Sequence, residues 1–268
     1  MSIDDLILPL KPKTWEEADQ LEPTELLYRT TPVKVCHYMS CERFVQLLRS
    51  QRLVFTPQTQ QDKDPADGGW PNANHEEATG LNKEYYEKFP MVRNFAMLAK
   101  ESEIDRRLTY LHCWFEGAYE SKTMWSEFAG DGTGVLLCAT TSELVQALSP
   151  FSADYRFAID QVKYVDEDVP LLEFVGGLAG RRKFPKFEHE SEIRLMATRL
   201  PPVDLASLPT ILKAPIRLQD CIRAVFLGPA MYKPRREVLK KWIRRVLPKA
   251  NVLDSNFTGS FYSEGLNF

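Results

Sequence analysis

The chain has 268 residues, of which 44% are hydrophobic and 11% aromatic, so it can bury a substantial core as one domain. Its 34 basic and 37 acidic residues give a net charge of −3, which excludes an overall basic field and an acidic tail but leaves room for a local basic patch. The N-terminal segment lacks the basic region of a secretory signal, and no stretch approaches the roughly 18 apolar residues of a membrane span, so we expect a cytoplasmic protein.

The cysteines and histidines give no sign of a disulfide framework or a metal motif. The 5 cysteines are widely spaced among apolar neighbours and form no CxxC motif, which is typical of reduced thiols in a cytoplasmic protein. The 4 histidines show neither HExxH nor Cys2His2 spacing, so the sequence predicts no structural zinc site.

The domain is predicted to open with a β-α-β unit. Residues 1–32 are polar and punctuated by proline, and we expect an arm with a short helix there, followed by a single domain over 33–268. The elements of the unit are the strand VKVCHYM, the helix ERFVQLLRS after an N-cap at Ser40, and the strand RLVFT.

The rest of the chain mixes strands and helices without a parallel βαβ rhythm. A long polar loop follows the second strand, and a helical pattern runs from Glu76 to Leu108. The later elements are predicted at YLHCWF (strand), ESKTMWSEFAG (helix), GVLLCAT (strand), the segment up to Leu148 (helix), 157–165 (strand), 169–179 (helix), CIRAVFLG (strand), PRREVLKKWIRRVL (helix) and NVLD (strand). This mixture predicts an α+β fold, a single domain with a largely antiparallel mixed sheet flanked by helices.

A further strand is predicted in the segment KFEHESEIRLMA, Lys186 to Ala197. The period of two would place Glu188, Glu190 and Glu192 on one face, with Arg194 continuing the row. Such a row of carboxylates is either a solvated sheet face or the wall of a cleft.

Several segments resemble a known bacterial family. CHYMSCERFVQLLRSQRLVF, the DP of DKDPADGG, HCWFEGAYESKTMWSEFAGDGTGVLL, VKYVD, KFEHESEIRL and IRAVFLGPAM occur in the order and rough spacing of the family catalogued as domain of unknown function 2971. The resemblance spans about 33–255, and its most specific features are the MW followed by a GV strand and the later ExEIRL. The family name implies no activity, and Phe128 stands where the family commonly has a tyrosine.

A more distant resemblance in layout is to ADP-ribosyltransferase-like folds. Both have a histidine at the end of a first strand, an aromatic-rich middle segment, and a late strand with a glutamate before an apolar run. The resemblance implies NAD as a substrate in a defence, toxin or stress setting, with His37 on a ribose, Trp125 or Phe128 on nicotinamide, and Glu192 steering the reacting ribose. Tyr38 is a further candidate for stacking on a base or on nicotinamide.

Glu192 has a chemical rationale in that hypothesis. Breaking the nicotinamide glycosidic bond develops oxocarbenium charge, which a fixed carboxylate stabilises. The competing interpretation is that Glu192 belongs to the outward face of a strand, balanced by Arg194, and that His37, Tyr38 and Trp125 are packing residues.

Two other functions remain open from the sequence. An acidic loop could bind a divalent metal together with Glu192 and support a metal-dependent nuclease, although Arg194 stands where a nuclease would use a lysine. The loop residues are Asp62, Asp64, Asp67, His75, Glu76 and Glu77.

The helix PRREVLKKWIRRVL is either a solvated amphipathic helix or a non-catalytic platform for nucleic acid or protein. Its apolar side is predicted at Val238, Leu239, Trp242 and Val246, and its contacts to nucleic acid at Arg236, Lys240, Lys241 and Arg244.

Overall fold

The computed structural model describes residues 32–60, 104, 106–117, 120–148, 154–164, 182–183, 185–200, 202–255 and 257. The predicted N-terminal arm, the acidic loop, the predicted helix at 169–179 and most of the one at 76–108 lie outside these residues. Residues 104 and 106–108, at the end of the last of these, are helical.

The domain opens with the predicted β-α-β unit, formed by β1 (Lys34–Met39), α1 (Cys41–Ser50) and β2 (Arg52–Pro57). The Ser40 side chain accepts a hydrogen bond from the Arg43 backbone N–H at 3.3 Å, so Ser40 caps α1 as predicted. Gln51 ends the helix with a left-handed φ of 50° and directs the chain into β2.

The remaining predicted elements within the described residues occur in the expected order, but the short strands at 182–183 and 212–215 and the helix at 218–221 were not predicted. The strand predicted over 157–165 divides at Val162, and the strand predicted from Cys221 begins only at Ala224 because Cys221 ends a helix. The elements after β2 are β3 (Thr109–Glu116), α2 (Lys122–Phe128), β4 (Val135–Thr140), α3 (Thr141–Leu148), β5 (Tyr155–Gln161), β6 (Lys163–Tyr164), β7 (Arg182–Lys183), β8 (Glu192–Arg199), β9 (Leu212–Pro215), α4 (Leu218–Cys221), β10 (Ala224–Leu227), α5 (Lys233–Val246) and β11 (Asn251–Asp254). Short 3-10 turns cover Gln58–Gln60, Pro185–Glu190 and Leu205–Ser207.

A nine-stranded mixed sheet forms the centre of the fold. One path through it runs β11-β10-β4-β1-β3-β2-β9, and β8 pairs with β3 on one side and with β5 on the other. The ladders of this sheet are antiparallel except that between β10 and β11. The predicted α+β class with a largely antiparallel mixed sheet is therefore confirmed.

The sheet forks at β3. On one side β3 pairs with β8 from Thr109 to Phe115, whereas on the other side its ladder with β1 covers Phe115 and Glu116, and its ladder with β2 covers Tyr110 and Leu111. Between these two ladders, the backbone of residues 112–114 has no strand partner on that side among the described residues.

The two faces of the sheet bury separate hydrophobic clusters. The major-core face carries His37, Trp114 and Ile193 and packs against apolar side chains of α1, α3, α4 and α5; those helix side chains include Phe44, Leu47, Leu48, Leu144, Leu148, Leu218, Leu239 and Ile243. The minor-core face carries Tyr38 and Phe115 and is covered by α2. Each buried Leu or Phe contributes about 1.5–3 kcal/mol, so the major core dominates the stability of the fold.

Within the residues that the structure describes, no helix is both long and apolar enough to cross a bilayer.

Candidate functional site

The predicted row of three glutamates does not form, because β8 begins only at Glu192. Glu188 and Glu190 belong to the 3-10 turn that precedes it, and Ser191 breaks the register with a φ of 38°. Glu192 and Arg194 do share one face of β8, as predicted. Since Glu192 lies opposite Phe115 in the ladder with β3, that face is the minor-core face.

Glu192 is the centre of a buried ionic network rather than part of a solvated strand face. Its side chain is 3% exposed and that of Arg194 1%. One Glu192 oxygen accepts from Arg194 Nε at 2.8 Å, and the other accepts from Arg194 Nη2 and from Lys183 Nζ, both at 3.1 Å. Lys183 also contacts Glu190 at 2.5 Å, so two carboxylates and two cations alternate along the network.

The network holds Glu192 ionised at neutral pH. Burial on its own would raise the pKa of this carboxyl, but the charge and hydrogen bonds of Arg194 and the charge of Lys183 outweigh burial and lower the pKa to about 2. Burial would likewise lower the pKa of Lys183, and the carboxylates of Glu192 and Glu190 raise it instead. Tyr164 lies beside them, accepts the Glu192 backbone N–H at 2.7 Å, and has a pKa raised by burial to about 12.

His37 does not join Glu192, because the two side chains lie on opposite faces of the sheet. Cys113 is the residue that both contact: its carbonyl accepts from His37 Nδ1 at 2.8 Å, and its thiol donates to the Glu192 carboxylate. Since a carbonyl only accepts, the Nδ1 of His37 carries the proton. His37 thereby pairs with a carbonyl at the fork of the sheet, which is a structural role.

Around His37 lies a cluster of rings on the major-core face. Its ring centroid is 4.6 Å from that of His112 and 5.3 Å from that of Trp114. Burial lowers the pKa of His37 to about 4 and the pKa of His112 well below its ordinary value. Both imidazoles are therefore uncharged at neutral pH.

Of the three predicted stacking residues, Tyr38 and Trp125 are packed against each other and Phe128 is exposed. Tyr38 and Trp125 lie on the minor-core face, 4% and 3% exposed, and meet edge-on with ring centroids 5.1 Å apart. The hydroxyl of Tyr38 accepts the Ser121 backbone N–H at 2.9 Å, and the indole of Trp125 donates to Glu120 at 2.9 Å. Phe128 is 38% exposed at the end of α2. Of the five residues assigned to NAD, Glu192, Tyr38 and Trp125 are buried and already hydrogen-bonded within the protein, and Phe128 is the exposed one.

The basic helix α5 uses two of its predicted partner-binding residues within the protein. Arg236 donates to the carbonyls of Gly228 and Pro229, both at 2.8 Å, and Lys240 pairs with Asp254 at 2.6 Å. Arg236 thereby holds the first turn of α5 against the end of β10, and Lys240 holds the middle of α5 against β11. Both side chains are engaged in contacts within the protein.

The predicted basic residues Lys241 and Arg244 are exposed, and Arg245 is exposed beside them. None of the three forms an ion pair within the part of the chain that the structure describes. Their spacing of i, i+3 and i+4 places them on one side of the helix, opposite the buried Leu239 and Ile243. Val238, predicted to be buried, is 71% exposed on the same side.

Two members of the Glu192 network were not predicted from the sequence. Lys183 and Tyr164 are brought together by β6 and β7, which pair in parallel as a two-stranded ribbon. Two-residue strands carry no periodic signal, so nothing in the sequence distinguished Lys183 from the other basic residues around it.

The described residues contain no group of three or more histidine, cysteine, aspartate or glutamate side chains placed to hold a metal ion. The acidic loop on which the nuclease hypothesis depends lies outside them.

Comparison of the chain with protein-family models, with curated proteins and with solved structures gives no match.

Proposed function

We propose that the protein binds nucleic acid through α5. The observation that carries the proposal is the cluster of Lys241, Arg244 and Arg245, three exposed cations within about one helical turn that have no acidic partner among the described residues. We call this cluster the α5 basic patch.

The α5 basic patch is suited to an anionic partner because its charges repel one another in the isolated protein. Like charges at i, i+3 and i+4 destabilise a helix by a few tenths of a kcal/mol per pair. Arg244 and Arg245 lie in the last turn of α5, where the helix dipole offsets part of that repulsion, but Lys241 lies a turn earlier. Phosphate groups would neutralise all three charges and release bound counterions, which favours association.

The proposal is tested by equilibrium titration of a fluorescently labelled oligonucleotide with the protein, over salt concentrations from about 50 to 200 mM. Three phosphate contacts predict that log K falls with log salt with a slope of about −2 to −3. Saturable binding whose affinity does not change with salt concentration contradicts the proposal, and so does the absence of binding at the lowest salt concentration.

A second candidate function, ADP-ribosyltransferase-like chemistry on NAD, is favoured by the ionised state of the buried Glu192. In such chemistry the bond from the ribose C1′ to nicotinamide breaks, the electron pair leaves with nicotinamide, and the acceptor forms the new bond and releases a proton. Glu192 would stabilise the positive charge that develops on the ribose. His37, Tyr38 and Trp125 do not fit their implied contacts, so the candidate is supported by the charge of Glu192 and by the exposure of Phe128.

This candidate predicts saturable heat on calorimetric titration with NAD that Lys183→Gln weakens, because Lys183, at 12% exposed, is the less deeply buried of the two cations that pair with Glu192. His37→Ala, on the opposite face of the sheet, should leave the affinity unchanged once the variant is shown to be folded. Absence of heat at millimolar NAD, or loss of affinity in His37→Ala alone, would contradict the role of the Glu192 face.

The bacterial origin, the cytoplasmic location and membership of the family of domain of unknown function 2971 are likewise proposals. The quoted sequence segments support the family, and the five free thiols of the structure support a reducing compartment.

A further inference from the structure

Cys36 and Cys138 form a close pair of buried thiols on the minor-core face. They lie opposite each other in the antiparallel ladder of β1 and β4, and their Sγ atoms are 3.2 Å apart. Both residues are 0% exposed, beneath the side chains of α2. Neither thiol has a part in the functions proposed above, so those functions do not explain the pair.

The backbone at this pair has the spacing that a disulfide requires. The Cys138 carbonyl accepts from the Arg223 backbone N–H at 2.8 Å, on the β10 side of β4, so this carbonyl points away from β1. Cys36 and Cys138 are therefore a pair without direct backbone hydrogen bonds, and in such pairs the Cα atoms are about 4.5 Å apart. Disulfides span Cα distances of about 4.4–6.8 Å, so rotation of the two side chains can join the sulfur atoms.

We propose that Cys36 and Cys138 are a site of reversible oxidation, at which hydrogen peroxide links them as a disulfide. One thiolate attacks a peroxide oxygen, which breaks the O–O bond and gives a sulfenic acid and hydroxide. The second thiolate attacks the sulfenic sulfur, forms the S–S bond and releases a second hydroxide. The two thiol protons neutralise the hydroxides, so two thiols and one peroxide give one disulfide and two waters. A dithiol reverses the oxidation by thiol–disulfide exchange and is itself oxidised.

The burial of the pair makes the reaction slow and dependent on the opening of α2. Burial and the hydrogen bond with Cys36 raise the pKa of the Cys138 thiol well above its ordinary value, and a thiol that keeps its proton is a poor nucleophile. The covering helix α2 has only 7 residues, and such short elements open locally more readily than central strands do. Peroxide therefore reaches the pair while α2 is open, and β1 and β4 keep the two sulfurs in register.

The experiment incubates the folded, reduced protein with hydrogen peroxide for several hours, alkylates the remaining thiols in denaturant and maps the peptides by mass spectrometry without reduction. We expect a cross-linked pair of peptides that contains Cys36 and Cys138 and is about 2 Da lighter than the two thiol peptides together. Dithiothreitol should abolish it. Cys221 is the internal control, because it is equally buried, donates its thiol to the Leu218 carbonyl and should remain open to alkylation.

The stability of the oxidised protein gives a second readout. The disulfide would join residues that are 102 apart in sequence, so oxidation should lower the equilibrium constant of unfolding by roughly 10²- to 10³-fold, measured by denaturation in urea. Cys138→Ala should show neither the cross-link nor this gain. Each protein is compared with itself before and after peroxide, so any cost of the substitution to stability cancels.

Three results would overturn the proposal. The first is the absence of the Cys36–Cys138 cross-link after peroxide treatment of the folded protein, or a link from either residue to another cysteine. The second is a cross-link that lowers the stability, because the fold would then not hold the pair in the geometry of a disulfide. The third is an equal gain of stability in Cys138→Ala, which would assign the effect to oxidation elsewhere.

Discussion

Replacement of Glu192 by glutamine is expected to lower the free energy of unfolding by about 3–5 kcal/mol. The substitution keeps the shape of the side chain but removes the negative charge that lies between Arg194 and Lys183. Arg194 is almost fully buried, so water cannot replace the lost interaction. Denaturation in urea, followed by circular dichroism, measures the change.

Glu188→Gln is the matched control, because Glu188 is exposed in the 3-10 turn that precedes β8. This control should change the stability by no more than about 0.5 kcal/mol. If Glu192→Gln is equally mild, the buried network does not stabilise the fold.

The effect of Glu192→Gln should also depend on pH. The pKa of Glu192 is lower in the folded protein, about 2, than its ordinary value of 4.5, so the folded state favours the ionised form. The stabilisation by Glu192 is therefore complete above about pH 4.5 and is lost as the pH falls through about 2. The difference between wild type and variant should shrink across that interval.

The second large effect is expected from the triple substitution of Lys241, Arg244 and Arg245 by glutamine. It should weaken nucleic-acid binding by about 10²-fold near 0.1 M salt and should bring the salt slope close to zero, because three phosphate contacts are removed. Stability should change little, since all three side chains are exposed. Fluorescence anisotropy titrations at several salt concentrations measure both quantities.

A charge-matched control uses Arg52, Lys213 and Arg217, three exposed basic residues on β2, on β9 and just before α4. Their replacement by glutamine changes the net charge by the same amount away from α5. A similar loss of binding in this control would show that net charge, and not the α5 basic patch, governs the interaction.

The sequence was informative where local signals agree with tertiary packing. The β-α-β opening, β3, β4, α5 and β11 were predicted from periodicity and caps, and Ser40 caps α1 as expected. The strand in the glutamate segment was predicted to begin at Lys186, whereas it begins at Glu192. The glutamates of the segment, at every second position, resemble one face of a strand, but residues 185–190 form a 3-10 turn that ends at the left-handed Ser191.

The site was harder to predict because it depends on which strands become neighbours. Glu192 was named as a candidate from the sequence, but its burial follows from the position of β8 between β3 and β5, which no local pattern encodes. His37 and Glu192 lie on opposite faces of the sheet because of the register of two ladders, that of β1 with β3 and that of β3 with β8. Similarly, Arg236 and Lys240 look like their neighbours in the sequence, and only the fold brings Gly228 and Asp254 within their reach.

Hydrogen–deuterium exchange of the protein, measured by mass spectrometry with and without an oligonucleotide, locates the binding surface directly. Binding at α5 predicts slower exchange in peptides that cover α5 (233–246), with little change in those that cover β8 (192–199). Protection confined to β8 and its neighbours, with none in α5, would contradict it and would move the binding site to the face of Glu192.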